Sequence, residues 1–439
     1  MHDQNPTKSD PKDALLIARL TSEGKYVKPI ERESYKKVLN SYCKHLFYVI
    51  RYILMNWGGY MKVLKGYLFR LYPNVEQKIL INKTIGSARL VYNIFLRDRI
   101  DTYNNTKKGK SAYDQNIMIP SLLVKYPFLK EVDSCSLRNA SSNLECAYNH
   151  FFKQGGFPKF KAKGVKDSYK TNNVVSTYKE KVYNSIELDL EKRLIKLPKL
   201  KWVKIKGYRN KESINGRIRS AVIRKDAERY YVSILVEEDV YKPMFTPQSI
   251  IGIDLGIKDL IVTSHNEKIK NIIKDRSKRL KGLQRALARC KRESKNRYKI
   301  KLRIQRLWQK IRNARKHLIH DITNKLIKEN DIIVWENLDV KSMHKDHNIA
   351  KSLNSNPLGE IIRVLKYKAL WNNKKLIQID RYYQSSQVCS VCEFQNKELK
   401  NLSIRKYECP MCHTKHDRDF NASVNIMFEG LKIYMQDLT

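Results

Sequence analysis

The spacing of apolar positions changes several times along the chain, and each change predicts a different element. Residues 62–72 alternate between polar and apolar as a β-strand does, and the run ends at Pro73. Residues 76–103 follow a helical period, and further helices are predicted between residues 117 and 152. A Gly-Gly-Phe-Pro sequence at 155–158 interrupts this pattern. We therefore expect one strand followed by a group of helices.

A second change of period predicts β-structure for residues 176–240. Within this stretch, residues 221–225 and 229–236 are typical of a hairpin around Asp226-Ala227-Glu228. Pro243 and Pro247 then mark a boundary.

Beyond that boundary, short apolar runs alternate with helical patterns. Residues 250–256 and 260–263 indicate adjacent central strands, and residues 331–338 and 375–380 indicate two more buried strands. Between them, Leu280, Leu283 and Leu287 share one helical face, and a second helix continues the apolar spacing from Ile300 to Leu318, after a turn at 293–296. Strands alternating with helices predict an α/β sheet, here interrupted by an antiparallel helical hairpin.

The charge of the chain changes this picture most. The 439 residues include 87 Lys and Arg against 44 Asp and Glu, a formal charge of +43. Such a surplus repels itself unless a polyanion neutralises it, which favours a nucleic-acid partner. An AT-rich genome would raise lysine evenly, whereas residues 268–316 hold 21 basic residues and two acidic ones. The hairpin is therefore expected to line a groove for phosphates.

Four of the eight cysteines form two CxxC pairs. Cys389 and Cys392 precede Cys409 and Cys412 by a spacing that predicts a tetrahedral zinc site, with two disulfides or buried free thiols as the alternatives. The other four cysteines are scattered, as reduced thiols are in a cytosolic protein. The most apolar stretch, residues 46–57, is too short to span a bilayer and contains Arg51, so no membrane role is expected.

Three acidic residues occur at positions where the surrounding apolar pattern predicts buried structure and no charged side chain is expected. Asp254 lies within an apolar run, Glu336 ends another, and Asp419 opens a C-terminal helix. Converging carboxylates hold Mg²⁺, and two such ions activate water and stabilise the leaving oxygen of a phosphodiester. The alternative for each residue is a helix cap or a strand-end charge. Asp417 competes with Asp419, but the two cannot share a helical face, and the choice falls on Asp419.

Several motifs together resemble the TnpB family, the RuvC-like nucleases of insertion sequences related to type V CRISPR effectors. They are Gly252-Ile253-Asp254-Leu255-Gly256, Trp335-Glu336-Asn337-Leu338, Ser385-Ser386-Gln387 and Asp417-Arg418-Asp419-Phe420-Asn421-Ala422. The resemblance runs from Met61 to the C-terminus. It implies an α/β RNase H-like (RuvC) nuclease domain with the catalytic triad Asp254, Glu336 and Asp419 and an inserted zinc ribbon.

The same resemblance implies a domain order. A β-barrel wedge domain (61–75 and 151–245) carries a helical recognition domain (76–150). The RuvC-like domain (246–385 and 416–439) contains the basic hairpin (276–329) and the zinc ribbon (386–415). Residues 1–60 lie outside the family pattern and weakly resemble a fragment of DEDD-type transposases, so Met61 is a candidate native start.

The function that the resemblance implies is RNA-guided, Mg²⁺-dependent cleavage of double-stranded DNA beside a short adjacent motif, with structural Zn²⁺ and a guide RNA. The alternatives are a guided repressor without cleavage, a transposase that acts directly on DNA, and a decayed gene product. Monomer and dimer both remain open. Candidate phosphate contacts are Lys159, Lys161, Lys163, Arg285, Arg289, Arg303 and Arg306.

Two positions depart from the family's zinc turns. Glu393 and His413 stand where glycine is usual, and glycine is usual there because the backbone turns toward positive φ. Both substitutions therefore predict strain in the ribbon. A third departure, Gln384, has no evident consequence.

Overall fold

The computed structural model describes residues 59–153, 155–178, 181–207, 214–243, 245–337, 356–401 and 403–437. The transposase-like fragment expected in residues 1–60 lies almost entirely outside them. The chain divides into two compact units. The first unit comprises Lys62–Val240 and Ser277–Gln309, and the second comprises Tyr241–Arg276 and Lys310–Thr439.

The first unit combines an antiparallel sheet with a group of helices. Its elements are β1 (Gly59–Tyr72), α1 (Val75–Thr106), α2 (Ala112–Ile117), α3 (Ile119–Lys125), a 3₁₀ turn (Pro127–Glu131), α4 (Ser134–Phe152), β2 (Ser168–Asn172), β3 (Val175–Tyr178), β4 (Lys181–Asn184), β5 (Glu187–Asp189), β6 (Leu194–Leu197), β7 (Lys201–Lys206), β8 (Arg217–Asp226), β9 (Arg229–Lys242), α5 (Ser277–Arg289) and the start of α6 (Lys295–Glu329). Seven strands pair in the order β2-β8-β9-β1-β7-β6-β5.

Helix α1 belongs to two hydrophobic cores. Its first turns place Ile81 and Ile85 in the core of the seven-stranded sheet, and its later turns place Phe95 and Leu96 in a separate helical core with α3 and α4. The N-cap of the helix is Asn74, whose side chain accepts a hydrogen bond from the backbone N–H of Gln77, while the backbone N–H of Asn74 donates to the Gln77 side chain and so completes a capping box.

The strand, helix and hairpin expected before residue 245 are confirmed. In the hairpin, Asp226 pairs with Arg229, and Ala227 and Glu228 both have positive φ, as a two-residue turn between twisted strands requires. Helices α5 and α6 are likewise confirmed, although α5 buries no residue, so its apolar positions are only half covered.

The second unit is built on a five-stranded mixed sheet. Its elements are β10 (Ile250–Asp254), β11 (Ile261–Thr263), β12 (Lys268–Ile269), the end of α6, β13 (Ile332–Glu336), α7 (Leu358–Trp371), β14 (Lys375–Ile379), a 3₁₀ turn (Lys397–Lys400), β15 (Lys406–Glu408), β16 (Lys415–Asp417) and α8 (Arg418–Gln436). The strand order is β12-β11-β10-β13-β14, and β10, β13 and β14 run parallel. The α/β sheet expected from the sequence is therefore confirmed.

Alternate residues of the central strands face opposite layers of helix. Ile251 and Ile333 pack with α6 and α7, whereas Val334 packs with α8. Gly252 also faces α8, since a Cβ there would lie 2.2 Å from the carbonyl oxygen of Ser423. The glycine thus permits α8 to approach β10 at backbone distance. Among the helices that the structure describes, none is long and apolar enough to cross a membrane.

Candidate active site and metal centre

Two of the predicted carboxylates end neighbouring parallel strands. Asp254 is the last residue of β10 and Glu336 the last of β13, and the register pairs Ile253 with Trp335 immediately before them. The chain leaves β10 toward β11 on one side and leaves β13 toward β14 on the other. Side chains at such a switch point lie at the edge where open α/β sheets bind their ligands.

The third carboxylate comes from the first turn of α8. Asp417 is the N-cap of this helix: its carboxylate accepts the backbone N–H of Phe420 and pairs with Lys268 Nζ at 2.6 Å. Asp419, two residues further along the chain, lines the same cleft as the two strand ends. Arg405 Nη1 contacts its Oδ1 at 3.1 Å and its Oδ2 at 3.2 Å. The structure therefore separates the two candidates, giving Asp417 a capping role and Asp419 a place in the cleft.

All three carboxylates line one open cleft of about 360 Å³. The remaining lining comes from the segment before the first CxxC pair, from one arginine between the two CxxC pairs and from the start of α8: Arg381, Tyr382, Tyr383, Gln384, Ser385, Ser386, Gln387, Arg405, Arg418 and Ala422.

The electrostatics of the cleft favour a bound cation. Burial, followed by the negative charges of Asp419 and Glu336, raises the pKa of Asp254 from 3.8 to about 7. Burial also raises the pKa of Glu336. Three carboxylates in one cleft repel one another, and oxygen ligands of this kind are those that Mg²⁺ prefers. The donor set therefore fits a hard divalent cation.

The two predicted metal sites differ in how closely their ligands are gathered. Among the described residues, the four cysteines are the one set whose potential ligand atoms all lie within 4.8 Å of one another. The three carboxylates share their cleft without meeting that spacing, and Arg405 already holds Asp419. A metal ion at this site would therefore compete with Arg405 for the carboxylate of Asp419.

The cysteine sulfurs have the spacing of a zinc site. Cys389 and Cys412 are 3.6 Å apart, as are Cys392 and Cys409. A tetrahedron with zinc–sulfur bonds of about 2.3 Å has edges of about 3.8 Å, whereas a disulfide requires about 2.05 Å. The four thiols are free, so the disulfide alternative is wrong and the donor set fits Zn²⁺.

The unusual residues of the zinc turns take the backbone that glycine would take. Glu393 has a φ of 62° and His413 a φ of 56°. In each turn the backbone N–H of this residue donates to the first cysteine's carbonyl oxygen, from Glu393 to Cys389 and from His413 to Cys409. Both turns therefore form their closing hydrogen bond. Each of the two residues adopts the left-handed backbone conformation, which is unfavourable for a residue that has a Cβ atom.

All seven candidate phosphate contacts lie in the first unit and are exposed. Residues 159–163 form a loop without strand pairing, which Asn93 anchors by bonds to the backbone N–H and carbonyl oxygen of Lys161. The Nζ atom of Lys161 lies 3.7 Å from the ring centre of Tyr92, and burial of this end lowers its pKa although the residue as a whole is exposed.

Sequence reasoning missed the cations of the cleft. Arg381 precedes the first CxxC pair and Arg405 precedes the second, in a chain so rich in Lys and Arg that neither position stands out. Arg418 is 6% exposed, and its guanidinium donates to the carbonyl oxygen of Asn401 at 2.7 Å. Its position between Asp417 and Asp419 was the one indication in the sequence that an arginine lies at the cleft.

Comparison with solved structures identifies the fold. The chain aligns with a TM-score of 0.52 and 12% sequence identity to the protein of a structure titled "Cryo-EM structure of the Cas12f1-sgRNA-target DNA complex", covering 83% of this chain and 99% of that one. At this identity the likeness concerns the fold alone, which is of the TnpB/Cas12f type.

Sequence comparison identifies the family. Family models match residues 61–108 ("Helix-turn-helix domain"), 233–346 ("Probable transposase") and 359–426 ("Cas12f1-like, TNB domain"). The chain is 30% identical over 394 residues to "Putative RNA-guided DNA endonuclease InsQ" of Escherichia coli K12, covering 84% of this chain and 93% of the relative. It is 29% identical over 379 residues to "Putative RNA-guided DNA endonuclease" of Streptomyces pristinaespiralis, covering 84% and 90%. The chain therefore belongs to the TnpB family, as its motifs indicated.

Proposed function

We propose that this protein is an RNA-guided DNA endonuclease that hydrolyses phosphodiesters with Mg²⁺ at Asp254, Glu336 and Asp419. The observation that carries the proposal is the convergence of three carboxylates at one cleft, where the pKa of Asp254 rises to about 7. A protein keeps so costly a cluster where a cation offsets it. The endonuclease names of its relatives support the same reading.

Each residue of the cleft has a definable task. Asp254 and Glu336, fixed by paired strands, would hold Mg²⁺, and Asp419 would complete the site from α8. When bound, Mg²⁺ activates water and stabilises the departing oxygen of a phosphodiester. Arg405, half-exposed beside Asp419, supplies a positive charge at the cleft for a phosphate group.

The remaining parts of the proposal follow the family. The second unit would be the RNase H-like nuclease domain, with a zinc ribbon at 386–415. The first unit would contain the wedge and recognition domains together with most of the basic hairpin of the nuclease domain, and its exposed cations would hold the guide RNA and the DNA target. The exposure of the seven predicted phosphate contacts and the formal charge of +43 on the whole chain support this assignment.

The proposal is tested by purifying the chain with RNA transcribed from its own locus. The copurified RNA is sequenced, and the complex is incubated with Mg²⁺ and a DNA library that carries the guide's complement beside random flanks. We expect cleavage beside one short motif, lost in Asp254→Ala while RNA remains bound. DNA binding without cleavage by the intact chain would instead indicate a guided repressor, and cleavage without RNA would refute the role of the guide.

A further inference from the structure

The first two turns of α8 are bonded directly to the backbone of the first zinc turn. Asn421 and Asn425 lie four residues apart on one face of this helix, and both are fully buried. Neither side chain carries a charge. Their partners are backbone groups on either side of Cys389.

Asn421 binds both neighbours of this cysteine. Its Oδ1 accepts the backbone N–H of Ser390 at 2.9 Å, and its Nδ2 donates to the carbonyl oxygen of Val388 at 2.7 Å. A side-chain amide that satisfies one donor and one acceptor of the same turn fixes that turn in both position and orientation.

Asn425 repeats the contact one helical turn later. Its Nδ2 donates to the carbonyl oxygens of Val388 at 2.7 Å and Ser385 at 2.8 Å. Ser385 lines the carboxylate cleft, so this one amide joins the zinc turn to the wall of the active site. The second lone pair of the Val388 oxygen is thereby also used.

A further contact involves the side chain of Cys389, one of the four predicted zinc ligands. His416, in β16, places Nε2 3.1 Å from Cys389 Sγ, and α8 begins two residues later. The turn at Cys389 is therefore in contact both with α8 and with the strand that leads into it, and Asp419 lies two residues before Asn421 on the same helix.

We infer that Asn421 and Asn425 are positioning residues, which use the zinc-bound turn as a fixed support to hold Asp419 beside Asp254 and Glu336. The inference rests on the proposed function, because it assigns these residues a purpose in the nuclease site. Bonds that orient metal ligands and their surroundings change metal affinity or activity by about 10–100-fold when removed. Zinc would accordingly stabilise the ribbon and also set the geometry of a magnesium site that it does not touch.

The test compares Asn425→Ala and Asn421→Asp with a matched control. Asn330→Ala removes another buried asparagine of the same unit, whose Nδ2 donates to the carbonyl oxygen of Leu326 at 3.1 Å on α6. Each variant is purified with its RNA and measured for zinc per chain, DNA affinity, and cleavage rate as a function of Mg²⁺ concentration. We expect both α8 variants to keep zinc and DNA binding, to cleave about tenfold more slowly, and to need more Mg²⁺ for half-maximal rate. The control should match the unsubstituted protein.

A second measurement does not depend on cleavage. Hydrogen exchange of the backbone amides at 418–425 is followed before and after zinc is removed with a chelator. Zinc removal should strongly accelerate the exchange of these amides in the unsubstituted protein. In the double variant Asn421→Asp/Asn425→Ala it should accelerate their exchange only slightly. Equal acceleration in both, or an unchanged Mg²⁺ response of the single variants, would overturn the inference. If the unsubstituted complex cleaved no DNA, the proposed function would fail, and the exchange result would still decide the coupling.

Discussion

Replacing Asp254 with asparagine should make the metal-free protein more stable while abolishing cleavage. In the folded chain the pKa of Asp254 is about 7, against an ordinary value of 3.8. The folded state therefore binds this proton more tightly than the unfolded state does, and stability is lost as the pH rises from about 4 through about 7. Asparagine, which resembles the protonated carboxyl, avoids that loss.

The size of the effect follows from the two pKa values. At about 1.4 kcal/mol for each pH unit between them, the full loss is about 4 kcal/mol above pH 8. Because one side of Asp254 is open to the cleft, the expected advantage of Asp254→Asn is about 2–4 kcal/mol at pH 8.5, falling toward zero near pH 4. Mg²⁺ should stabilise the unsubstituted protein at pH 8.5 and have little effect on the variant.

The assay is guanidinium denaturation followed by tryptophan fluorescence at several pH values, with and without Mg²⁺. Asp417→Asn is the matched control, because Lys268 and the N–H of Phe420 lower the pKa of Asp417 even though burial opposes them. Its substitution should cost stability at neutral pH, the opposite sign. If Asp254→Asn gave no gain at pH 8.5, or the same gain at every pH, the electrostatic reasoning would be refuted.

Three further predictions concern the zinc turns, the contact between β10 and α8, and the basic hairpin. Glu393→Gly and His413→Gly, at φ of 62° and 56°, should each stabilise the zinc-bound ribbon by about 0.5–1 kcal/mol, seen as slower zinc loss to a chelator; faster loss would contradict the strain. Gly252→Ala should lower the melting temperature, because its Cβ would lie 2.2 Å from the carbonyl oxygen of Ser423; an unchanged value would show that α8 lies further away. Arg303→Gln with Arg306→Gln should reduce the slope of log K against log salt by about 0.7–0.9 for each lost phosphate contact, and an unchanged slope would remove these residues from the interface.

Local periodicity predicted the second unit well because its strands are short and buried. An apolar run that ends in a carboxylate, as at Asp254 and Glu336, indicates a central strand. It also indicates a charge whose burial is unfavourable, and neither conclusion requires knowledge of the fold. The spacing of two CxxC pairs similarly specifies a tetrahedral site, because four thiolates on two tight turns have few other uses.

The contacts between distant segments had no local signal. Arg405 and Asp419 meet through the folding of the ribbon onto α8, and nothing in the period of either segment encodes that pairing. The bonds from Asn421 and Asn425 were equally hidden, since a buried asparagine and an exposed one look alike in the sequence. Gly252 belongs to a motif that is visible in the sequence, but the close approach of α8 that requires a glycine there is visible only in the structure.

Mn²⁺ anomalous scattering, in a crystal of the complex with guide RNA and uncleavable DNA, would show whether the three carboxylates close around a divalent metal. We predict anomalous density in contact with Asp254, Glu336 and Asp419, with Asp419 released from Arg405. Mn²⁺ bound elsewhere, with no anomalous density in contact with the three carboxylates, would contradict this prediction.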